Sequence, residues 1–463
     1  MSSKRLFGTD GVRGVVNVDL TPEVALRLAL AIGTYFRPGS RLVVGSDVRA
    51  GNSFLTKIII GGLISTGVKV VDAGLAPTPA LQFYVKSRGF DGGVVVTASH
   101  NPPEYSGIKV VMPDGVEAPR KVEEELEEIY YESRFRRVPW REVSGDAARV
   151  YDVIDHYLNN IVELVDKERI RETGLKVAVD PANNVGTLAT PKLMRTLGVK
   201  VVVINGDLSY IPSRSPEPAP ENIEDLISVV KSVGADLGVA HDGDADRAIF
   251  VADGGLYVPG DISALLLCKH IVENRREVSP PRVVTAVSSS TLVSKVLSTY
   301  GIEVVWTKVG SITISRTMME LGAIAGFEEN GGFIYPRHQY VRDGAMSLAL
   351  MVELLSYERT PLSSLLETLP KRYVVKKRVY VGRELLPRVY EEIRNRFSEI
   401  TEFIDVDGLK GISSRYWFLV RPSGTEPLVR VFVEADSQQL VNEVLKELLD
   451  IFMEVYGSEV RVA

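Results

Sequence analysis

One cysteine and five histidines in 463 residues leave little material for thiol or imidazole chemistry. Cys268 has no partner for an intramolecular disulfide, and no thiolate metal site can be built from it alone. Its setting, "SALLLCKH", is apolar, so a buried core thiol is expected. No run approaches the roughly 18 uninterrupted apolar residues of a membrane-spanning helix, so no membrane partner is expected. The opening "MSSKRLFGTDG" has no apolar core of a secretory signal, which points to a cytoplasmic protein. A surplus of basic charge is missing too. Lys and Arg number 54 against 60 Asp and Glu, a net charge of −6 that argues against nonspecific nucleic-acid binding. The short cluster Arg134, Arg136, Arg137 reads as a solvated face. Scarce glutamine beside many charged residues leans toward heat adaptation.

What is present is a repeated unit. At this length two to four domains are expected. "RLVVGSDVRAG" (41–51), "LKVAVDPANN" (175–184) and "PRVVTAVSSS" (281–290) each read as a strand. Each is followed by a stretch of helical length and then a glycine-led strand: "TGVKVVDAG", "LGVKVVVING", "YGIEVVWTKVG". A further short apolar strand then breaks into a polar loop, in "GGVVVTASHNPP", "LGVAHDGDADR" and "AIAGFEENGG". Strand, helix and strand with short loops predict mostly parallel sheets layered by helices. Ligands bind beyond the carboxyl ends of such strands, so three loops in register predict one shared cleft. From about residue 370 the pattern changes to alternating strands and amphipathic helices, a smaller α+β domain. The expected architecture is three related mixed-sheet α/β domains (1–149, 150–252, 253–369) and an α+β domain (370–463) around one central cleft. The proline-rich "SRSPEPAPEN" (213–222) reads as an ordered surface loop.

The loops differ in chemistry. "DGDADR" places Asp242, Asp244 and Asp246 at alternate positions, which in an extended segment crowds three carboxylates on one side. A hard cation with oxygen ligands relieves that crowding, and vacancies in the set suit Mg²⁺ completed by a phosphate oxygen. An EF-hand is excluded, since Arg247 and Asp253 stand where it needs Gly and Glu. "RPSGTEP" (421–427) joins Arg421 to Ser423, Gly424 and Thr425, a set suited to an anion nest. "FGTDGVRG" (7–14) is neither a P-loop nor a dinucleotide fingerprint, but it can present Arg13 to an anion. Glu328 and Asn330 in "EENGG" suit neighbouring sugar hydroxyls.

Ser99 sits in "VVVTASHNPP" without the flanking glycines of a hydrolase elbow. His100 adjoins it, and adjacent side chains of an extended segment point apart, so the pair is a poor triad. The competing readings are a turn serine and a serine that carries a phosphoryl group.

"TASHNP", "DGDADR", "EENGG" and "RPSGTEP", in this order and at these separations, resemble the α-D-phosphohexomutase family over essentially the whole chain. The resemblance implies three related α/β domains and a fourth around a deep cleft. It implies that Ser99 is phosphorylated, primed by a hexose bisphosphate, and that Asp242, Asp244 and Asp246 bind Mg²⁺ in contact with it. It places Arg13, His100 and Lys109 in proton transfer or phosphate stabilisation, and Arg247 in support of the serine. It gives Glu328 and Asn330 the sugar hydroxyls, Lys308 and Gly310 a substrate-contacting loop, and Arg421, Ser423, Gly424 and Thr425 the distal phosphate. The implied reaction interconverts hexose 6-phosphate and hexose 1-phosphate through a bisphosphate, in a monomer or homodimer. "FGTDGVRG" resembles the phosphoglucosamine mutase branch; a phosphomannomutase/phosphoglucomutase of broad specificity is the alternative. Asn330, Gly331 and Gly332 stand where both branches commonly show Ser-Gly-His, a departure that bears on one sugar or phosphate contact. A serine-nucleophile, metal-dependent phosphatase is the alternative of another class, and it would want more histidine ligands than five.

Overall fold

The structure, a computed structural model, describes residues 5–8, 10–143, 145–275, 281–423, 428–457 and 460–463. Valine-rich runs form its strands, as β-branched side chains suit a pleated, covered surface. Gly92–Val96 is buried at every position. Its residues alternate between two cores. Val95 joins the large core that runs through all three units, whereas Val94 and Val96 face the core of the first unit. A strand covered on both faces needs no polar alternation, and that explains the unbroken valines.

Each unit repeats one sheet topology. In the first, Arg41–Ser46 lies between Lys69–Leu75 and Gly92–Val96, all parallel, and Tyr105–Val111 then pairs antiparallel with Gly92–Val96. In the second, Lys176–Asp180 lies between Lys200–Val203 and Leu237–Ala240, with Ile249–Ala252 returning antiparallel. In the third, Arg282–Ala286 lies between Glu303–Thr307 and Ala325–Phe327, and Phe333–Ile334 returns antiparallel. The sheets are therefore mixed. The loops 97–104, 241–248 and 328–332 occupy one equivalent place, between the third parallel strand and its antiparallel return. Leu256–Val258, beyond residue 252, pairs with Ile249–Ala252 at the edge of the second sheet.

The C-terminal unit is an antiparallel sheet whose neighbours Tyr416–Pro422 and Val429–Ala435 flank the loop that follows Arg421. Helix Gln438–Tyr456 covers it with Val441, Val444, Leu448, Ile451 and Phe452, the three-to-four spacing of one apolar face. Ser437 caps that helix, its hydroxyl accepting from the Leu440 N–H at 3.3 Å. Lys410 crosses the seam to the third unit and donates to the carbonyls of Val287 at 2.8 Å and Ser289 at 2.7 Å. Its ammonium lies 3.9 Å from the Trp306 ring centre and 4.2 Å from that of Trp417.

Cys268 is fully buried, and burial pushes its thiol pKa up, as an inert core thiol requires. Among the described residues no helix is long and apolar enough to cross a membrane.

Candidate active site

Ser99 closes a tight turn rather than an extended segment, with φ of 50°. A left-handed conformation is costly for a residue with a β-carbon, so its surroundings must hold it. The Ser99 N–H donates to Thr97 Oγ1 at 2.9 Å, and Arg49 Nη2 donates to its carbonyl at 2.5 Å. Thr97 Oγ1 in turn donates to Asp47 Oδ2 at 2.7 Å, and Arg49 Nε lies 3.2 Å from the same oxygen. Arg49 also takes the carbonyls of Asn101, Pro102 and Tyr105. "SDVRAG" after the first strand thus supplies the clamp for the serine turn. Sequence reasoning missed it, although an aspartate and an arginine two residues apart past a strand end were visible.

The Ser99 hydroxyl, fully buried, donates to Asp242 Oδ2 at 2.7 Å. Asp242, Asp244 and Asp246 offer oxygens that all lie within 4.8 Å of one another. Their convergence comes from a turn with Ala245 at φ 59°, not from the extended segment expected from their spacing. The turn is anchored to the first unit: Thr78 donates from Oγ1 to Asp244 Oδ2 at 2.7 Å and from its backbone N–H to the Asp244 carbonyl at 3.0 Å.

All three carboxylates are buried, and burial with the neighbouring Asp246 and Asp244 pushes the Asp242 pKa well up. Asp244 Oδ1 and Asp246 Oδ1 are buried without a hydrogen-bond partner, while each residue's other oxygen is engaged. Orphaned anionic oxygens facing one another fit a hard divalent cation.

Cations surround this cluster. Lys109, 1 % exposed, lies 3.0 Å from Asp10, 3.2 Å from Asp244 and 3.8 Å from Asp246. Burial alone would lower its pKa, but the three carboxylates together outweigh that and hold the ammonium protonated. Lys109, Arg13 and Arg342, against burial, hold Asp10 ionised. Arg13 pairs with Asp10 at 2.7 Å and donates to Asn101 Oδ1 at 2.6 Å, so it steadies the serine turn. Arg247 donates from Nη2 to His100 Nδ1 at 2.9 Å and pairs with Glu217 at 3.0 Å. Its charge, then burial, pushes the His100 pKa down to about 2, which leaves the imidazole neutral.

His100 Nδ1 approaches Ser99 Oγ at 3.4 Å, so the two side chains do not point apart. The left-handed turn brings them round. A triad is excluded for another reason: the nitrogen facing the serine already accepts from Arg247. Glu217 comes from "SRSPEPAPEN", which therefore dips into the site between buried Pro216 and Pro218.

Glu328 is buried and accepts from Arg342 Nη1 at 2.9 Å. Asn330 Oδ1 accepts from the Gly332 N–H at 3.1 Å, which shapes its own loop. The Gly331 carbonyl accepts from the Ala248 N–H at 3.0 Å, so the third loop docks on the end of the second. Arg342 and Asp10 were missed as site residues. Asp10 lay inside the quoted glycine-rich stretch, and nothing local marks "VRDG" (341–344).

Lys308 is exposed, and Gly310, with φ of 137°, precedes helix Ser311–Leu321. Between them the Val309 N–H donates to Asp407 Oδ2 at 3.2 Å, and Arg421 Nη2 meets the same oxygen at 2.9 Å. Asp407 thus joins the loops of Lys308 and Arg421. Ser423 is buried, its N–H donating to the Leu428 carbonyl at 2.8 Å. Gly424 and Thr425 lie outside the described residues.

Four family models described as phosphoglucomutase/phosphomannomutase match the chain in order. Alpha/beta/alpha domain I covers residues 4–137, domain II 155–255, domain III 259–373, and the C-terminal domain 376–451. A phosphoglucosamine/phosphogalactosamine mutase of Sulfurisphaera tokodaii is 49% identical over 451 residues, 96% of this chain and 99% of that one. A phosphoglucomutase/phosphomannomutase of Thermococcus kodakarensis is 39% identical over 450 residues, 96% of this chain and 97% of that one. Among solved structures, a phosphoglucomutase/phosphomannomutase family protein from Burkholderia thailandensis superposes with a TM-score of 0.86 at 27% identity, covering 99% of both chains.

Proposed function

The chain belongs to the phosphoglucomutase/phosphomannomutase family and is an enzyme, a phosphosugar mutase, and from that premise we propose that it interconverts glucosamine 6-phosphate and glucosamine 1-phosphate with Ser99 as the phosphoryl carrier. The observation that carries the role of Ser99 is its buried hydroxyl, 2.7 Å from Asp242 in an acidic cluster ringed by Lys109, Arg13 and Arg247. The choice of amino sugar rests on the Sulfurisphaera relative. The Thermococcus relative favours a second reading, broad use of glucose and mannose phosphates at the same site.

Ser99 with Asp242, Asp244 and Asp246 would hold Mg²⁺, which when bound neutralises charge on a transferring phosphoryl group. Ser99 gives its phosphoryl group to the free hydroxyl of the sugar monophosphate, making a bisphosphate. The other phosphate of that bisphosphate then returns to Ser99, which is first primed by a hexose bisphosphate. Lys109 and Arg13 hold negative charge at the serine turn. The proton that leaves the sugar hydroxyl ends on the Ser99 oxygen, while His100, kept neutral with its Nδ1 taken by Arg247, and Lys109, kept protonated, stabilise the transferring group. Arg247 keeps the imidazole in place. Glu328 and Asn330 take sugar hydroxyls, and Lys308 and Gly310 line the way to a phosphate loop of Arg421, Ser423, Gly424 and Thr425. The division into 1–149, 150–252, 253–369 and 370–463 belongs to the same proposal, as does a cytoplasmic monomer or homodimer.

The experiment is Ser99→Ala. Turnover of glucosamine 6-phosphate should fall to background, and the wild type should carry a phosphate on Ser99 by mass spectrometry after incubation with glucosamine 1,6-bisphosphate. Full turnover by the variant would sink the assignment.

A further inference from the structure

One guanidinium in this molecule touches a carboxylate from each α/β unit. Arg342 Nη2 lies 2.6 Å from Asp246 of the second unit and 3.6 Å from Asp10 of the first. Its Nη1 lies 2.9 Å from Glu328 of the third. The side chain is 6 % exposed, so these are desolvated pairs in which geometry is held tightly. Arg342 takes one oxygen of Asp246 and leaves the other, Oδ1, buried without a hydrogen-bond partner, 3.8 Å from Arg247 Nε.

Gly332 is the counterpart of this placement. A β-carbon there would lie 2.3 Å from Arg342 Cδ and 3.0 Å from its Cγ. Unlike its neighbour Gly331, with φ of 89°, Gly332 lies outside the left-handed region, so its backbone suits any residue. Space for the arginine stem is thus what a side chain at 332 would remove. The same two residues therefore set where the sugar loop sits: Gly332 yields the room, and Arg342 fixes the Glu328 carboxylate relative to the aspartates.

We infer that Arg342 and Gly332 form a matched pair that positions the Glu328 carboxylate for the sugar and sets its distance from the phosphoryl-transfer centre. Arg342 is a positioning residue that acts through Glu328 and Asp246. The inference rests on the proposed sugar-binding role of Glu328. A side chain at 332 would push the guanidinium off both carboxylates and leave Glu328 buried without its cation.

The test is a double-mutant cycle of Gly332→Ala and Arg342→Gln, with Arg342→Lys as the conservative control. Calorimetry measures Kd for whichever of glucosamine, glucose and mannose 6-phosphate binds the wild type most tightly. Labelling of Ser99 by glucosamine 1,6-bisphosphate is read in parallel. Gly332→Ala should weaken sugar binding at least tenfold and raise KM more than it lowers kcat. Adding Arg342→Gln to it should cost little more, because both changes remove one arrangement. Arg342→Lys should recover part of the affinity, since an ammonium reaches one carboxylate but not two.

Wild-type Kd in Gly332→Ala, or strictly additive effects, would overturn the pairing, and Gly332→Ala alone decides if Arg342→Gln does not fold. If the wild type binds sugar phosphate but Ser99 is never labelled, the carrier mechanism fails and the pairing is still judged by Kd. If none of the three sugar phosphates binds, both fall.

Discussion

Lys109 and Lys410 are both fully buried lysines, one inside the acidic cluster and the other in the seam to the C-terminal unit. Lys109 has Asp10, Asp244 and Asp246 within 4 Å, and they raise its pKa despite burial. Lys410 has two carbonyls and two tryptophan faces but, among the described residues, no carboxylate in ion-pair contact. Burial wins there and pushes its pKa down to about 7, with Glu434 and Asp261 opposing only from a distance. Depth is equal at the two sites. The formal charge of the nearest partners decides the direction, and with it whether the lysine serves as a fixed cation or as a docking peg.

That contrast can be broken from either side. Lys109→Met removes the cation that pairs with Asp244 among the described residues, leaving a buried anion with only the more distant Arg342 to offset it. It should cost about 3–5 kcal/mol in urea denaturation and bring turnover to background. A loss below about 1 kcal/mol would show that the carboxylates are not charged together in the folded chain.

Lys410→Met should cost less at neutral pH, since burying the ammonium is itself unfavourable. The folded pKa is depressed from 10.5 to about 7, so the unfolded chain binds more protons between those values. Wild-type stability relative to Lys410→Met should therefore rise as pH goes from about 7 to about 10.5, and stay at its lowest level below 7. Denaturation midpoints of both proteins across that range check the sign. A gap between them that is flat from pH 6 to 10 would place the lysine in an unshifted state.

Arg421→Ala sharpens the comparison at its weakest end. Arg421 pairs with Asp407 at 2.9 Å with both side chains mostly buried, so stability should fall by about 1–2 kcal/mol. If this arginine receives the distal phosphate, KM for the sugar phosphate should still rise at least tenfold. An unchanged KM would remove it from the site.

Much of this was legible in the chain. Unbroken valines announce strands covered on both faces, and an abrupt change at Thr97, Asp242 and Glu328 marks where each strand ends. Such signals are local, set by side-chain shape and solubility over a few residues. Reasoning from local geometry was weaker. Ser99 and Ala245 adopt left-handed turns that no rule about extended segments foresees. Those turns bring His100 beside Ser99 and set the three aspartates face to face.

The chain alone determined the repeated unit, the four polar loops and the types of group each loop offers, because periodicity and turn chemistry are written residue by residue. Tertiary structure decided who meets whom. Arg342 reaches Asp10, Asp246 and Glu328 across 332, 96 and 14 positions of sequence. Glu217 enters the site from a proline-rich loop, and Asp407 ties Arg421 to the loop of Lys308. Charges interact through space, so which of them is buried beside which depends on how the four units pack.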